Sequence, residues 1–202
     1  SLYSALSSSE ERYRTIFQNT GTGMMFIEED MTLSLTNKEF SKLTGYTSEE
    51  INGKMKWTDF VSDEEELQRM EEYHRLRRTN PEAVPSSYEF KLKDRYGGVR
   101  DIVTSVVKMP DSTNILAALL DITKRKKAEE ALRQSEITYR TIFENTGTAT
   151  IIVEADTTIS LANSEFCYWS GYSKEELEGK MSWLHFVRGE DGEIALKHHH
   201  ER

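Results

Sequence analysis

Apolar and polar positions change their period several times along this chain, and each change marks an element. Glu10–Gln18 is polar, with Tyr13, Ile16 and Phe17 at helical spacing on one face. Asn19–Gly23 breaks that pattern. Met24–Glu28 is a short apolar run, Glu29-Asp30 a turn, and Thr32–Thr36 alternates with Leu33 and Leu35 assigned to one face, so a hairpin is predicted. Asn37 has the chemistry of an N-cap for a helix Lys38–Thr44, because its side-chain carbonyl can accept a first-turn N–H. Gly45 suits the left-handed position that ends that helix. Thr47 and Glu50 form a capping box, with Tyr46 and Ile51 placed as a hydrophobic staple. Ser62-Asp63-Glu64-Glu65 predicts another capping box, opening a long helix to about Arg78 that Asn80-Pro81 ends. Ser87–Lys93 alternates through Tyr88, Phe90 and Leu92, Asp94–Gly98 is a turn, and Val99–Met109 and Ile115–Ile122 read as strands around the turn Pro110–Asn114. The order β-β, short helices, β-β-β predicts an α+β domain with helices on one face of an antiparallel sheet.

The pattern then starts again. Residues 136–187 align with residues 10–61 at an offset of 126 (136 − 10), and 28 of the 52 aligned positions are identical. The decapeptide YRTIFQNTGT, 13–22, returns as YRTIFENTGT, 139–148, with Glu144 in place of Gln18. The capping box returns as Ser173 and Glu176. A period this long is a repeated domain rather than a solenoid. Ala5-Leu6 also matches Ala131-Leu132, so the connector is repeated too. The expected division is an upstream linker end or tag over 1–9, a complete domain over 10–123, a helical linker over 124–135 and a truncated second copy over 136–202. Arg202 aligns with Leu76, and the ending LKHHHER is expected to continue a native helix. Without counterparts of the last three strands, the hairpin 149–162 is expected to be partly ordered or completed by a neighbouring molecule.

Asp121–Phe143 changes character again. Lys, Glu, Ala and Arg dominate, and Ala128, Leu132, Ser135, Tyr139 and Ile142 fall at 4-3-4-3 spacing, a short heptad seam. Composition narrows the class. With 37% hydrophobic and 30% charged residues the chain reads as a folded, non-membrane domain pair, and no apolar run reaches the roughly 18 residues of a membrane span. The opening SLYSALSSSEERYR has no basic segment followed by an apolar one, so it is not expected to be a secretory signal. One cysteine, Cys167, leaves no intramolecular disulfide, in keeping with a cytoplasmic setting. A net charge of −9 disfavours nucleic acid as a partner, and Lys124–Lys127 is read as a solvated helix face.

Three features together carry a resemblance: NxxFxxxxGYxxxExxG at Asn37–Gly53 and again at Asn163–Gly179, the segment YEFKLKDRYGGVRDIVTSVVKM, and the exit Asp121-Ile122-Thr123 followed by Arg125, Lys126, Ala128, Glu129 and Leu132. In this order and repetition they resemble the PAS sensor family, over nearly the whole chain. The resemblance implies a five-stranded antiparallel sheet of order 2-1-5-4-3 closed by helices over a small cavity. It also implies a sensory role, often within a histidine kinase or similar regulator, so a kinase output domain and a homodimer are the expected partners. Asp121, Ile122 and Thr123 resemble the family's junction between last strand and output helix. Together with Ala128, Leu132, Tyr139 and Ile142 they are the expected signal-relay residues.

Met25, Leu35, Phe40, Leu43, Trp57, Phe60, Phe90 and Val103 are expected to converge between helices and sheet, either as a filled core or as a pocket for a small apolar or amphipathic organic ligand. Flavin photoreceptors of the family carry a reactive Cys near the place that here reads Met55-Lys56-Trp57 and Met181-Ser182-Trp183, so a flavin–cysteine adduct is not expected. Haem needs an axial ligand, usually His on the long helix. His74 lies there, but EEYHRLRR is highly charged, so His74 is expected on a solvated face. His198–His200 are consecutive and cannot share one metal from one helix face. No phosphate-binding strand–loop–helix or nucleophile–base pattern is readable, so no enzyme activity is expected of these residues.

Overall fold

The computed structural model describes residues 2–110, 112–187 and 189. The expected C-terminal helix through His198–His200 lies outside the described residues. The chain divides into two compact units, Ser1–Ala128 and Glu129–Arg202, with the division inside the expected linker.

The first unit contains α1 (Leu2–Asn19), β1 (Gly23–Ile27), β2 (Leu33–Thr36), α2 (Lys38–Thr44), α3 (Ser48–Ile51), a 3-10 turn Trp57–Phe60, α4 (Glu64–Thr79), β3 (Ser87–Lys93), β4 (Val99–Lys108) and β5 (Ile115–Asp121). The strands form one antiparallel sheet of order β2-β1-β5-β4-β3. Alternation sends Met25, Ile27, Phe90, Leu92, Ile102, Val106, Ile115, Ala117 and Leu119 to the face that packs on Phe40, Leu43, Ile51, Trp57, Phe60 and Met70 from the helical layer. Gly23 is required for that packing, since a Cβ there would meet Leu43 Cδ1 at 2.7 Å. Gly45 takes φ +77°, closes α2 with an N–H to the Ser41 carbonyl, and a Cβ on it would press against Arg95 and Tyr96.

Two local readings are corrected. Leu33 is buried, but Leu35 is 43% exposed on the opposite face. The pairing steps from Phe26↔Leu35 to Ile27↔Leu33, so Ser34 is an extra residue in β2 and reverses the alternation. The cap of α4 is Asp63 rather than Ser62: the Asp63 carboxylate accepts the Glu66 N–H at 2.9 Å, while Ser62 donates its hydroxyl to the Lys91 carbonyl. A carboxylate is the stronger partner for a helix N-terminus.

One buried side chain ties several elements together. Asn37 Nδ2 donates to the carbonyls of Phe17 and Thr22, each at 2.9 Å, and more weakly to Thr20 Oγ1 at 3.3 Å. Its Oδ1 accepts from the N–H groups of Met24 and Phe40, each at 2.9 Å. The C-terminus of α1, the start of β1 and the first turn of α2 are thus held by a single amide.

The helix α5 (Thr123–Glu144) runs without a break from the exit motif into the repeated decapeptide, so the expected linker and the first element of the second copy are one helix. The second unit continues with β6 (Ile151–Val153), β7 (Ile159–Ala162), α6 (Ser164–Ser170), α7 (Lys174–Leu177) and a 3-10 turn Trp183–Phe186. Its amide is Asn163, which bonds Phe143, Thr148, Thr146, Thr150 and Phe166 in the same pattern as Asn37. The bulge recurs at Ser160. Ile159, Ala162 and Leu177 make a small core with Phe166, Met181, Trp183 and Phe186. Trp169, aligned with the buried Leu43, is 74% exposed, since among the described residues this unit has no counterpart of β3–β5.

The one change in the repeated decapeptide has a partner. Gln18 Oε1 accepts the Lys38 N–H at 3.2 Å, whereas Glu144 accepts from Ser164 N and Oγ and pairs with Lys174, the position aligned with Ser48. That ion pair, then the Ser164 bonds, pull the Glu144 carboxyl down to about 2.

Replacing Asn37 by Ala strands buried N–H and C=O groups of three elements. We expect a loss of about 3 kcal/mol in unfolding free energy of the full chain, read by urea denaturation.

Candidate functional site

A cavity of about 30 Å³ lies between the helical layer and the inner face of the sheet, bounded by residues that include Met25, Phe40, Trp57, Phe60 and Phe90. Those five are in the set expected from sequence. Leu43 is buried in the core but does not line the cavity, and Leu35 and Val103 are on the wrong face. For Leu35 the bulge at Ser34 is the cause. For Val103 it is strand period: Ile102, Thr104 and Val106 point inward, so Val103, one residue out of phase, stands outside opposite Glu89.

Such a volume admits one or two waters, far below the 300 Å³ or more of a cofactor pocket. The surrounding core is filled. Haem does not fit. The volume is too small, and the candidate axial nitrogen, His74 Nε2, already lies 2.7 Å from Arg78 Nη1. No cysteine lines the cavity, and Cys167 is half-buried on α6 of the other unit.

The expectation for His74 is overturned. It is 8% exposed, its ring centroid is 5.8 Å from that of Trp57, and it lines the cavity. The charged letters around it hide a face: Met70, His74 and Arg77 follow one another at i, i+4 and i+7 and are the buried residues of α4. Burial first, then the Arg78 and Arg77 charges, lower its pKa to about 4. A guanidinium can only donate, so Nε2 is the acceptor and the ring is neutral with its proton on Nδ1. The 3.4 Å approach of Nε2 to the Glu29 carbonyl is then a contact without a proton. Arg78 also donates to the Glu28 carbonyl at 2.9 Å, fastening α4 to the β1–β2 turn.

Arg77 is 3% exposed. Its Nη2 donates to the Pro85 carbonyl at 2.7 Å and its Nη1 to the Val106 carbonyl at 3.4 Å. Tyr88 and Thr104 complete the polar lining. Burial holds the Tyr88 phenol above its ordinary value, with Arg77 pulling the other way. Trp57 Nε1 is buried and has no hydrogen-bond partner among the described residues. Arg77, His74, Met70, Tyr88 and Thr104 are absent from the sequence-derived set. Tyr88 and Thr104 were reachable from strand alternation, whereas Arg77 and His74 required knowing which face of α4 turns inward.

Ile115, Ala117 and Leu119 of β5 also wall the cavity, and β5 ends at the exit motif. Asp121 Oδ1 accepts the Thr123 N–H at 2.9 Å and Oδ2 accepts from Arg100 at 3.2 Å. The Asp101 N–H donates to Thr123 Oγ1 and the Ile122 N–H to the Asp101 carbonyl, both at 2.9 Å. Lys126 reaches Glu89 at 2.6 Å and Asp101 at 3.5 Å. Burial pushes the Asp121 carboxyl up, but the bonds from Thr123 and Arg100 outweigh it and hold it below the usual range. The ends of β3, β4 and β5 are therefore bonded to the first turn of α5. Beyond that turn Ala128, Leu132, Tyr139 and Ile142 are all exposed along α5. No helix among the described residues is long and apolar enough to cross a membrane.

The profile of the family described as the PAS fold matches residues 11–122 and 138–191. The sensor histidine kinase TmoS of Ectopseudomonas mendocina is 24% identical over 132 residues, which cover 64% of this chain and 14% of that protein. This chain thus spans a small part of that relative's length. Among solved structures, an RNA-binding light-oxygen-voltage receptor superposes with a TM-score of 0.51 at 16% identity, over 63% of this chain and 37% of that one. The PAS domain of an HTR-like protein from Haloarcula marismortui gives 0.47 at 18% identity, over 59% of this chain and 97% of that one.

Because His74 is buried neutral, its native pKa of about 4 lies below the ordinary 6.5. The unfolded chain takes up this proton first, so the His74 contribution should cost stability as pH drops from about 6.5 to about 4, by up to about 3 kcal/mol, while bonded carboxylates such as Glu144 and Asp121 carry the further loss at lower pH. His74→Leu should flatten that limb in urea midpoints measured across the range. An unchanged slope would show that His74 is not its source.

Proposed function

This chain belongs to the PAS family, and on that premise we propose that it is a sensory relay module of a cytoplasmic signal-transduction protein, working as a homodimer on a histidine kinase output. The chemistry of such an output is assigned to other parts of the protein; these residues sense and transmit. The relative with a sensor-kinase name supports that placement.

The observation that carries the reading is α5. It is one uninterrupted helix, bonded at its first turn to the sheet of the first unit through Asp121, Thr123 and Lys126, and at its last turn to the second unit through Asn163 and Glu144. The helix thus begins in bonds to the first unit and ends in bonds to the second, which supports a relay role. The strand that ends at Asp121 also walls the cavity, so a change in cavity occupancy has a short covalent route to the helix. In this mechanism the two-state element is the pairing of α5 with its copy along Leu132, Tyr139 and Ile142, whose register or angle the sheet biases. Their exposure leaves this stripe available to a partner helix.

A second reading, a chemoreceptor with its ligand in the cavity, is favoured by the unpartnered Trp57 N–H at that wall. The two readings are compatible, the cavity providing input and α5 output.

Leu132→Asp should convert the dimer to monomer in sedimentation velocity; an unchanged mass rules out the seam. Asp121→Ala removes the carboxylate that holds the Thr123 N–H and Arg100. Amide exchange over 123–126 should then accelerate about tenfold while exchange over 87–106 stays as before. Unaltered protection over 123–126 would remove Asp121 from the relay.

A further inference from the structure

We propose that the cavity under α4 is a binding site for a compact anion, a small carboxylate of formate or acetate size, held by Arg77 and Trp57. This deepens the sensory reading and rests on it. Among the described residues no carboxylate forms an ion pair with Arg77; its two partners are neutral carbonyls, one of them at 3.4 Å. Some arginines of the unit find acids, Arg100 with Asp121 and Asp94 and Arg95 with Glu50, while Arg78, like Arg77, bonds carbonyls. Among the described residues this core cation is thus left without a counter-charge. Burying a lone guanidinium is expensive, and an anion bound beside it offsets part of that cost.

The unused capacity around the cavity is of one kind. Among the described residues Trp57 Nε1 finds no acceptor. Arg77 carries five N–H groups and spends few of them on backbone. Tyr88 and Thr104 add hydroxyls that can donate. A carboxylate brings two oxygens and no donor, and its planar fork matches a guanidinium. Size sets the rest of the choice. About 30 Å³ excludes a nucleotide or an aromatic acid, while Met25 and Met70 in the wall are unbranched and can yield room for a few heavy atoms. Arg77 and Val106 also wall an outer groove with Pro81, Ser86 and Lys108, so the Arg77 side chain stands between cavity and solvent, with a second cation near the mouth.

The test uses the full chain, with sodium acetate, sodium formate and the neutral isostere acetamide titrated at constant ionic strength set by sodium chloride, read by calorimetric melting and by titration calorimetry. Acetate or formate should raise Tm in a saturable way and acetamide should not. Arg77→Met, which keeps the apolar stem, should weaken acetate binding at least tenfold, and Trp57→Phe about threefold. Absence of any saturable shift with acetate and formate overturns the proposal, as does equal binding of acetamide or chloride, or full acetate affinity in Arg77→Met. If Arg77→Met loses its cooperative melt, Trp57→Phe decides, and unchanged acetate affinity there overturns the site. Binding of acetamide as tight as acetate would sink the anion while leaving a sensing cavity in place. The relay reading stands or falls separately, on the mass of Leu132→Asp.

Discussion

A primary amide buried away from water must find partners for two donors and two acceptor lone pairs, or it costs several kcal/mol. Asn37 and Asn163 meet that requirement with the same set of five groups, drawn from the end of a leading helix, the loop after it, the first strand and the first turn of the next helix. Everything else in each copy is placed relative to this point. The hairpin starts there, α2 and α6 are capped there, and α1 and α5 are docked there. Within the repeated decapeptide, Phe17 and Thr22 with Phe143 and Thr148 supply backbone carbonyl acceptors, and Thr20 and Thr146 supply hydroxyls.

The same constraint gives α5 two roles. For the second unit it is what α1 is for the first, a leading helix whose last carbonyls the asparagine captures. For the first unit it is the continuation of β5 past a junction of charges and hydroxyls. Asp121, Thr123, Asp101 and Lys126 hold that junction by hydrogen bonds and ion pairs that are only partly buried. Bonds of this kind are individually worth about 1 kcal/mol, so they can exchange without unfolding the sheet. Glu144 with Lys174 adds a charge pair at the far end that α1 lacks, so the two helices are not equally fastened.

The core of the first unit combines dense apolar packing with one polar corner. Met25, Phe40, Phe60, Phe90 and Leu92 close it as a filled interior would. At the corner, His74 is kept neutral by burial and by Arg78, while Arg77 is kept charged by its chemistry. Two adjacent turns of one helix therefore place an acceptor-bearing ring and a cation side by side. Such a corner is costly for stability.

Strand alternation, turn residues and capping chemistry act over a few neighbours, so the sequence alone determined the order of elements, the repeat, the antiparallel sheet and the exit into α5. It also assigned Phe40, Trp57, Phe60 and Phe90 to the space between helices and sheet, where they are buried. Tertiary structure decided the exceptions. One extra residue at Ser34 reversed the face of Leu35, Val103 fell one step out of phase, and Asp63 displaced Ser62 as cap. The largest decision concerns α4. Its letters are charged nearly all round, so no period distinguishes the inner face, and only the sheet lying beneath it turns His74 and Arg77 inward. A local pattern records which residues prefer water; it cannot record that a neighbour, distant in sequence, has taken the water away.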